Sequence, residues 1–215
     1  MNYVLFQQNV GQQGLFSVQD VRKRFPRFDT RRLVEWQQKG YIQRIVNQWY
    51  MFRTTTLAEE TLWWTANRIY QPSYLSLETA LSFYGLIPEG VYVFTSISSR
   101  KTQTFTTPVG TFLYRHVKPA FFFGYQVMRT AATAAAGSLP DRPVLMANVE
   151  KTILDYCYLN PHLRTVDDFA ATRLNTSQLR HQLNRQRLQT YTDLVGGKQL
   201  SHRIAVFRQY IDHYA

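Results

Sequence analysis

Between positions 22 and 32 the chain sets Arg22, Lys23, Arg24, Arg27, Arg31 and Arg32 against one acid, Asp29. Clustered guanidinium and ammonium groups recruit anionic polymers, because each phosphate they neutralise releases condensed counterions. Some of these residue types also read sequence. Arg31 has the fork geometry for the two acceptors of guanine, Gln38 can engage both polar atoms of an adenine edge, and Glu35 can accept only from cytosine. Arg22, Lys23, Arg24, Arg27, Arg44 and Arg53 would then hold phosphates and fix register without specifying a base. Thr30, Arg32, Lys39 and Asn47 complete the set of candidate duplex contacts. A competing reading is local: Arg31 and Glu35 stand four residues apart and could form a solvated ion pair on a unit that contacts protein instead.

Such side chains need elements to present them. Asn2 to Asn9 can form a short helix that Gly11 and Gly14 would end. Ser17 can cap a helix over 18–25, with Asp20 placed for a reciprocal capping-box bond and Val18, Val21 and Phe25 on one face. Pro26 closes it. Asp29 then caps a second helix over 30–39, onto which Phe28 can staple at Leu33, and Gly40 stops it. Two short helices joined by so brief a turn must cross steeply, which is the helix-turn-helix arrangement. At 100° per residue Leu33, Trp36 and Gln37 share one face of the second helix, and Arg31, Glu35 and Gln38 the other. The β-branched and aromatic runs 41–46 and 49–52 flank Asn47-Gln48 as a hairpin would, completing a winged helix. Asn47 tolerates the positive φ of such turns better than Gln48.

The whole chain has 215 residues, with 25 Lys and Arg against 14 Asp and Glu, a net charge of +11 and a sequence pI near 9.9. A composition 45% hydrophobic and 18% charged is that of a globular chain and excludes wholesale disorder. Residues 1–53 hold nine Lys or Arg and three Asp or Glu, over half of the excess. A lone cysteine, Cys157, excludes an internal disulfide framework and any cysteine-rich zinc cluster. The N-terminus lacks a basic region followed by an apolar one, so no signal peptide is read there. The most apolar runs, such as 120–123, fall far short of the roughly 20 residues a membrane helix needs. The sequence therefore reads as cytoplasmic, with no membrane partner.

Beyond residue 54 the pattern changes. Helices are expected over 57–70, 77–84 (capped by Ser76), 149–159, 166–172, 177–195 and 201–214, and strands over 91–98, 102–108, 110–118, 121–128 and 143–147. The Ala-rich stretch 131–137 reads as a mobile insertion. The expected fold is α+β: a winged helix-turn-helix over 1–54 and a mixed α/β domain over 55–215.

The second part also holds residue types able to do catalytic chemistry. His116 beside Arg115, with Glu150, Lys151 and Asp155, could be imagined as a phosphoryl-transfer or nuclease site. The chain carries no Gly-rich phosphate loop, no His pair at metal-ligand spacing and no nucleophile elbow. Glu150 and Asp155 fit a helix first turn and a buried partner for Arg115 or Lys151, and His116 a hydrogen-bonded strand histidine. No catalytic residue, cofactor or metal is assigned. A second basic patch covers Arg180, Arg185, Arg187, Lys198, Arg203 and Arg208, as a solvated face or an auxiliary surface.

The strings YLSLETALSFYGLIPEGVY at 74–92, TSISSRKTQTFTTPVGTFLYRHV at 95–117, FFFGY at 121–125 and VEKTILDYCYL at 149–159 resemble the AbiEi family of bacterial antitoxins over nearly the whole chain. The resemblance implies an N-terminal winged helix that represses its own operon at inverted repeats, and a C-terminal domain that counters a nucleotidyltransferase-like toxin, directly or indirectly. By position, Arg100, Lys101, Thr102, Tyr114, Arg115 and His116 match the family's strand motif, and Glu150, Lys151 and Asp155 its helix motif. Arg100, Lys101, Arg115, His116, Arg180, Arg185 and Arg187 form the candidate partner surface. Trp49 stands where the family's wing commonly has Gly, and the Ala-rich stretch is longer than usual. With no coiled-coil seam in sight, monomers binding DNA cooperatively are expected. The alternative is a nucleic-acid-processing enzyme targeted by the winged helix.

Overall fold

The structure is a computed structural model that describes residues 2–88, 90–129 and 142–214. It is an α+β chain. Helix α1 (Tyr3–Val10) starts where the Asn2 side chain accepts the Leu5 N–H at 2.9 Å. Strand β1 (Leu15–Ser17) leads directly into α2 (Val18–Arg24), whose Ser17–Asp20 capping box is fully formed. Helix α3 (Arg31–Gln38) follows the Pro26 turn, and strands β2 (Ile42–Val46) and β3 (Trp49–Phe52) pair antiparallel. The three strands lie in the order β1-β3-β2. Phe6, Phe16, Val21, Leu33, Trp36, Ile42 and Phe52 form the core they enclose.

Three expectations for this region change. Strand β1 was not anticipated: its three residues are all buried, so no polar alternation marks it. Helix α3 begins one residue later than expected, yet Asp29 does receive the Arg31 N–H at 3.0 Å. In the hairpin it is Gln48, at φ 63°, and not Asn47 that takes the left-handed conformation. There the Gln48 carbonyl accepts the Val18 N–H at 2.9 Å, which locks the turn onto the start of α2. Phe28 reaches the core with its ring 5.7 Å from Phe6 and 5.9 Å from Trp36.

The remaining elements are α4 (Glu59–Ile69), β4 (Ser73–Leu75), α5 (Leu77–Phe83), β5 (Val93–Ser98), β6 (Gln103–Thr107), β7 (Gly110–His116), β8 (Tyr125–Met128), β9 (Val144–Ala147), α6 (Val149–Leu159), α7 (Val166–Ala170), α8 (Thr176–Gln182), α9 (Arg185–Val195) and α10 (Lys198–His213). Six strands form a mixed sheet in the order β6-β7-β5-β4-β9-β8. Parallel pairing joins β5 to β7 and β4 to β9, and the other neighbours are antiparallel.

The expected strand over 121–128 is half right. Pro119–Phe121 is a 3-10 turn and only Tyr125–Met128 is extended, because Gly124 at φ 72° breaks the run. Strand β4 was missed for the same reason as β1. The single helix expected over 177–195 is two. Leu183 is extended, Asn184 caps α9 by accepting the Arg187 N–H at 2.9 Å, and its own N–H goes to Glu150 Oε1 at 2.8 Å. The Ala-rich stretch 131–137 lies outside the described residues. Among the described residues no helix is long and apolar enough to cross a membrane.

Besides its own core, the part before residue 54 packs against the part after it. Leu15, Ile45 and Met51 share a cluster with Trp63, Trp64, Ile69, Phe112, Tyr114 and Met146. Polar ties cross the same seam: Arg68 to Asp20 at 3.5 Å, and Arg142 Nη2 to the Gln13 carbonyl at 2.7 Å.

Candidate nucleic-acid interface

Helix α3 turns Leu33 and Trp36 inward, each 2% exposed. Arg31 projects on the other side with its side chain 92% exposed, in company with Val34, Gln38 and Lys39, while Glu35 is half-buried. Val34, 55% exposed, was not among the candidate contacts. Its position three residues after Arg31 and four before Gln38 centres it on the outer face. A branched apolar group there is suited to a thymine methyl.

The ion pairs differ from the Arg31–Glu35 bond considered from the sequence. Arg31 Nε lies 3.2 Å from Asp29 Oδ1, and Glu35 is shared by Arg32 at 3.0 Å and Lys39 at 2.7 Å. Asp29 stands beside Arg31 at the helix start, so the guanidinium folds back on it. The Arg31 backbone N–H, foremost, and its side chain hold the Asp29 carboxyl below its ordinary range. Lys39 and then Arg32 do the same for Glu35, and Glu35 raises Lys39 in return. These pairs are solvated and screened, so a phosphate or a base edge can replace the acids at little cost.

Around α3 the other cations are in place. Arg22, Lys23, Arg27 and Arg53 are exposed, and their side chains have no partner among the described residues. Arg24 donates to the Asn9 carbonyl. A cleft of about 550 Å³ at the turn between α2 and α3 gathers Arg24, Arg27, Arg32 and Asp29 around Phe25, Pro26 and Phe28. Thr30 caps nothing with its side chain. On the hairpin, Arg44 Nη2 donates to Asn47 Oδ1 at 3.0 Å, which holds both on the exposed turn. Trp49 is half-buried, with the Arg68 guanidinium 5.3 Å from its ring.

The candidate partner residues of the second part fall into separate groups. Arg100, Lys101 and His116 meet where the β5–β6 connection crosses the end of β7. Arg100 stacks 4.5 Å from the Tyr70 ring, the Lys101 carbonyl accepts the Tyr70 hydroxyl at 2.8 Å, and His116 Nδ1 lies 2.9 Å from the Arg100 carbonyl. Arg115, one strand position away, lines a different cavity of about 590 Å³ with Leu77, Glu78 and Tyr156. Arg180, Arg185 and Arg187 are exposed but engaged. Arg180 donates to the Ile211 carbonyl at 2.8 Å, Arg185 pairs with Asp212 at 2.5 Å, and Arg187 with Glu150 at 3.4 Å. The carbonyls and acid at the C-terminus of α10 draw two of these cations, as the helix dipole favours.

Glu150 is 2% exposed, and Lys151 and Asp155 are fully enclosed. Lys151 Nζ donates to Asp155 Oδ1, and Oδ2 accepts the Ser76 hydroxyl at 2.9 Å and the Tyr74 hydroxyl at 3.1 Å. Of the two partners open to Asp155, the fold uses Lys151. This trio cannot meet a substrate unless the core opens. The chain matches no family model, and no curated protein matches it.

Proposed function

We propose that residues 1–54 form a winged helix that binds double-stranded DNA, and that the protein is an autorepressing antitoxin whose C-terminal part counters a nucleotidyltransferase-like toxin. The observation that carries the DNA reading is the two-sidedness of α3. Leu33 and Trp36 fix it to the core, and Arg31, Val34 and Gln38 are exposed on the other side, Arg31 in a solvated pair with Asp29, flanked by Arg22, Lys23 and Arg27, which have no partner among the described residues. That is the distribution a groove-reading helix needs: base-reading groups along one stripe and phosphate-binding groups beside it. The antitoxin part rests on the resemblance of the 74–159 motifs and on the same interface serving an operator.

The test is anisotropy binding to the DNA upstream of the gene and to a scrambled duplex over a salt series. Arg31→Ala is expected to weaken operator binding by about 1–3 kcal/mol and to relax discrimination at one base pair. Arg27→Ala is expected to weaken both duplexes alike and to lower the salt slope by about one. Equal affinity for the two duplexes, unaltered by Arg31→Ala, refutes the reading. For the antitoxin part, Arg31→Ala/Arg32→Ala co-expressed with an adjacent nucleotidyltransferase-like gene should lose repression and keep rescue. Point variants are the right tool, since deleting 1–54 would strip the cover from Trp63 and Trp64.

A further inference from the structure

Gly196 and Gly197 join α9 to α10 with φ angles of 65° and 103°, a conformation L side chains rarely adopt. Gly197 is the N-cap of α10 and brings no side chain to cap it. Ser201 is the first residue whose N–H bonds back, to the Gly197 carbonyl at 3.0 Å. The N–H groups of Lys198, Gln199 and Leu200 precede that bond, and no side chain claims them. They are the positive end of a helix of 16 residues.

The charged side chains gathered at this end, Arg164, Lys198 and Arg203, are all cations. Arg164, Lys198, Gln199, His202 and Arg203 line a cavity of about 340 Å³ that has no carboxylate in its wall. Arg203 is the independent mark of a ligand. It is only 7% exposed, its Nε is buried without a partner, and its guanidinium makes no hydrogen bond or ion pair among the described residues. A guanidinium keeps its charge at any physiological pH, and burial without a counterion is costly. Neither acid of neighbouring α7 lines the cavity or pairs with Arg203 among the described residues: Asp167 is exposed, and Asp168 Oδ2 accepts the N–H groups of Arg164 and Thr165 at 2.9 and 2.8 Å.

We infer that this cavity binds the phosphate group of a nucleotide. Uncapped helix N–H groups and several cations together match a tetrahedral oxyanion carrying up to two charges, more than the single charge of a carboxylate. The cavity has room for that group and part of the sugar beside it. The phosphate belongs to a free nucleotide or to the end of a strand, and the inference is independent of the duplex reading of α3.

The experiment is isothermal titration of the full chain with inorganic phosphate, AMP and a 5′-phosphorylated oligonucleotide against its unphosphorylated twin, all at matched chloride. An Arg31→Ala/Arg32→Ala background silences the other site. Saturable phosphate and AMP binding is expected, weakened about tenfold by Arg203→Met, the worth of one charge-assisted hydrogen bond. Gln199→Glu guards against misfolding: an acid in the first turn stabilises α10, so its melting temperature should rise while phosphate affinity falls. AMP bound more tightly than the phosphorylated strand assigns a free nucleotide, and the reverse a strand end. No phosphate response beyond chloride, or equal binding by Gln199→Glu, overturns the inference.

Discussion

Replacing Lys151 by methionine isolates one of the costliest interactions in the fold. Lys151 and Asp155 lie one helical turn apart on α6, and both side chains are 0% exposed. The ammonium sits among aromatic rings, 5.0 Å from the Phe123 centroid and 5.6 Å from that of Tyr74. Burial lowers the Lys151 pKa and raises that of Asp155, and the mutual attraction opposes both shifts. Methionine fills the same space but leaves a carboxylate enclosed with only the Ser76 and Tyr74 hydroxyls. Breaking such a pair costs about 3–5 kcal/mol. In a chain of 215 residues that lowers Tm by roughly 6–20 °C.

The pH dependence is specific. Without its cation the buried Asp155 is pushed further above its unfolded value, so between the two values the folded state binds the extra proton. Stability of the variant must then rise as pH falls toward the ordinary carboxylate range, where wild type gains less. Adding Asp155→Asn, which keeps an acceptor for the hydroxyls and removes the charge, should restore most of the loss. Urea melts of the four proteins at several pH values provide the assay. A Lys151→Met deficit below about 1 kcal/mol, or one that does not narrow in acid, refutes the claim that Asp155 is held as a carboxylate by Lys151.

Gly124→Ala should cost about 2–5 kcal/mol, the sum of a left-handed backbone penalty and overpacking. Its new Cβ would lie 3.0 Å from the Lys151 side chain at φ 72°, and thermal melts read the loss. Gln48→Gly should gain about 0.5–1 kcal/mol, because glycine relieves the left-handed strain at φ 63° and returns part of that as unfolded-state entropy. Denaturant midpoints check it, and a loss of stability would place the Gln48 side chain in an unrecognised contact.

Much of the N-terminal quarter was legible because its signals are local. Ser17 and Asp20, three apart, dictate a capping box whatever surrounds them, and Leu33 with Trp36 mark the buried side of α3 by spacing alone. Strands β1 and β4 were illegible: three residues covered on both faces carry no alternation, and only the neighbouring strands make them extended. Gln48 shows the same limit. Intrinsic preference favours Asn47 for the left-handed position, and the Val18 N–H waiting at the sheet edge decides for its neighbour.

The candidate residues divide the same way. Composition and spacing established that α3 carries cations on one face and that the chain is strongly basic, because charge and helical period are properties of the sequence; the anionic partner is the proposal built on them. Which cations are free was set by the fold. Arg180, Arg185 and Arg187 find acceptors on α10 and α6, whereas Arg203 finds none among the described residues. Charge is written residue by residue, but a counterion is supplied by whatever the rest of the chain brings within a few ångströms, and that is a tertiary fact.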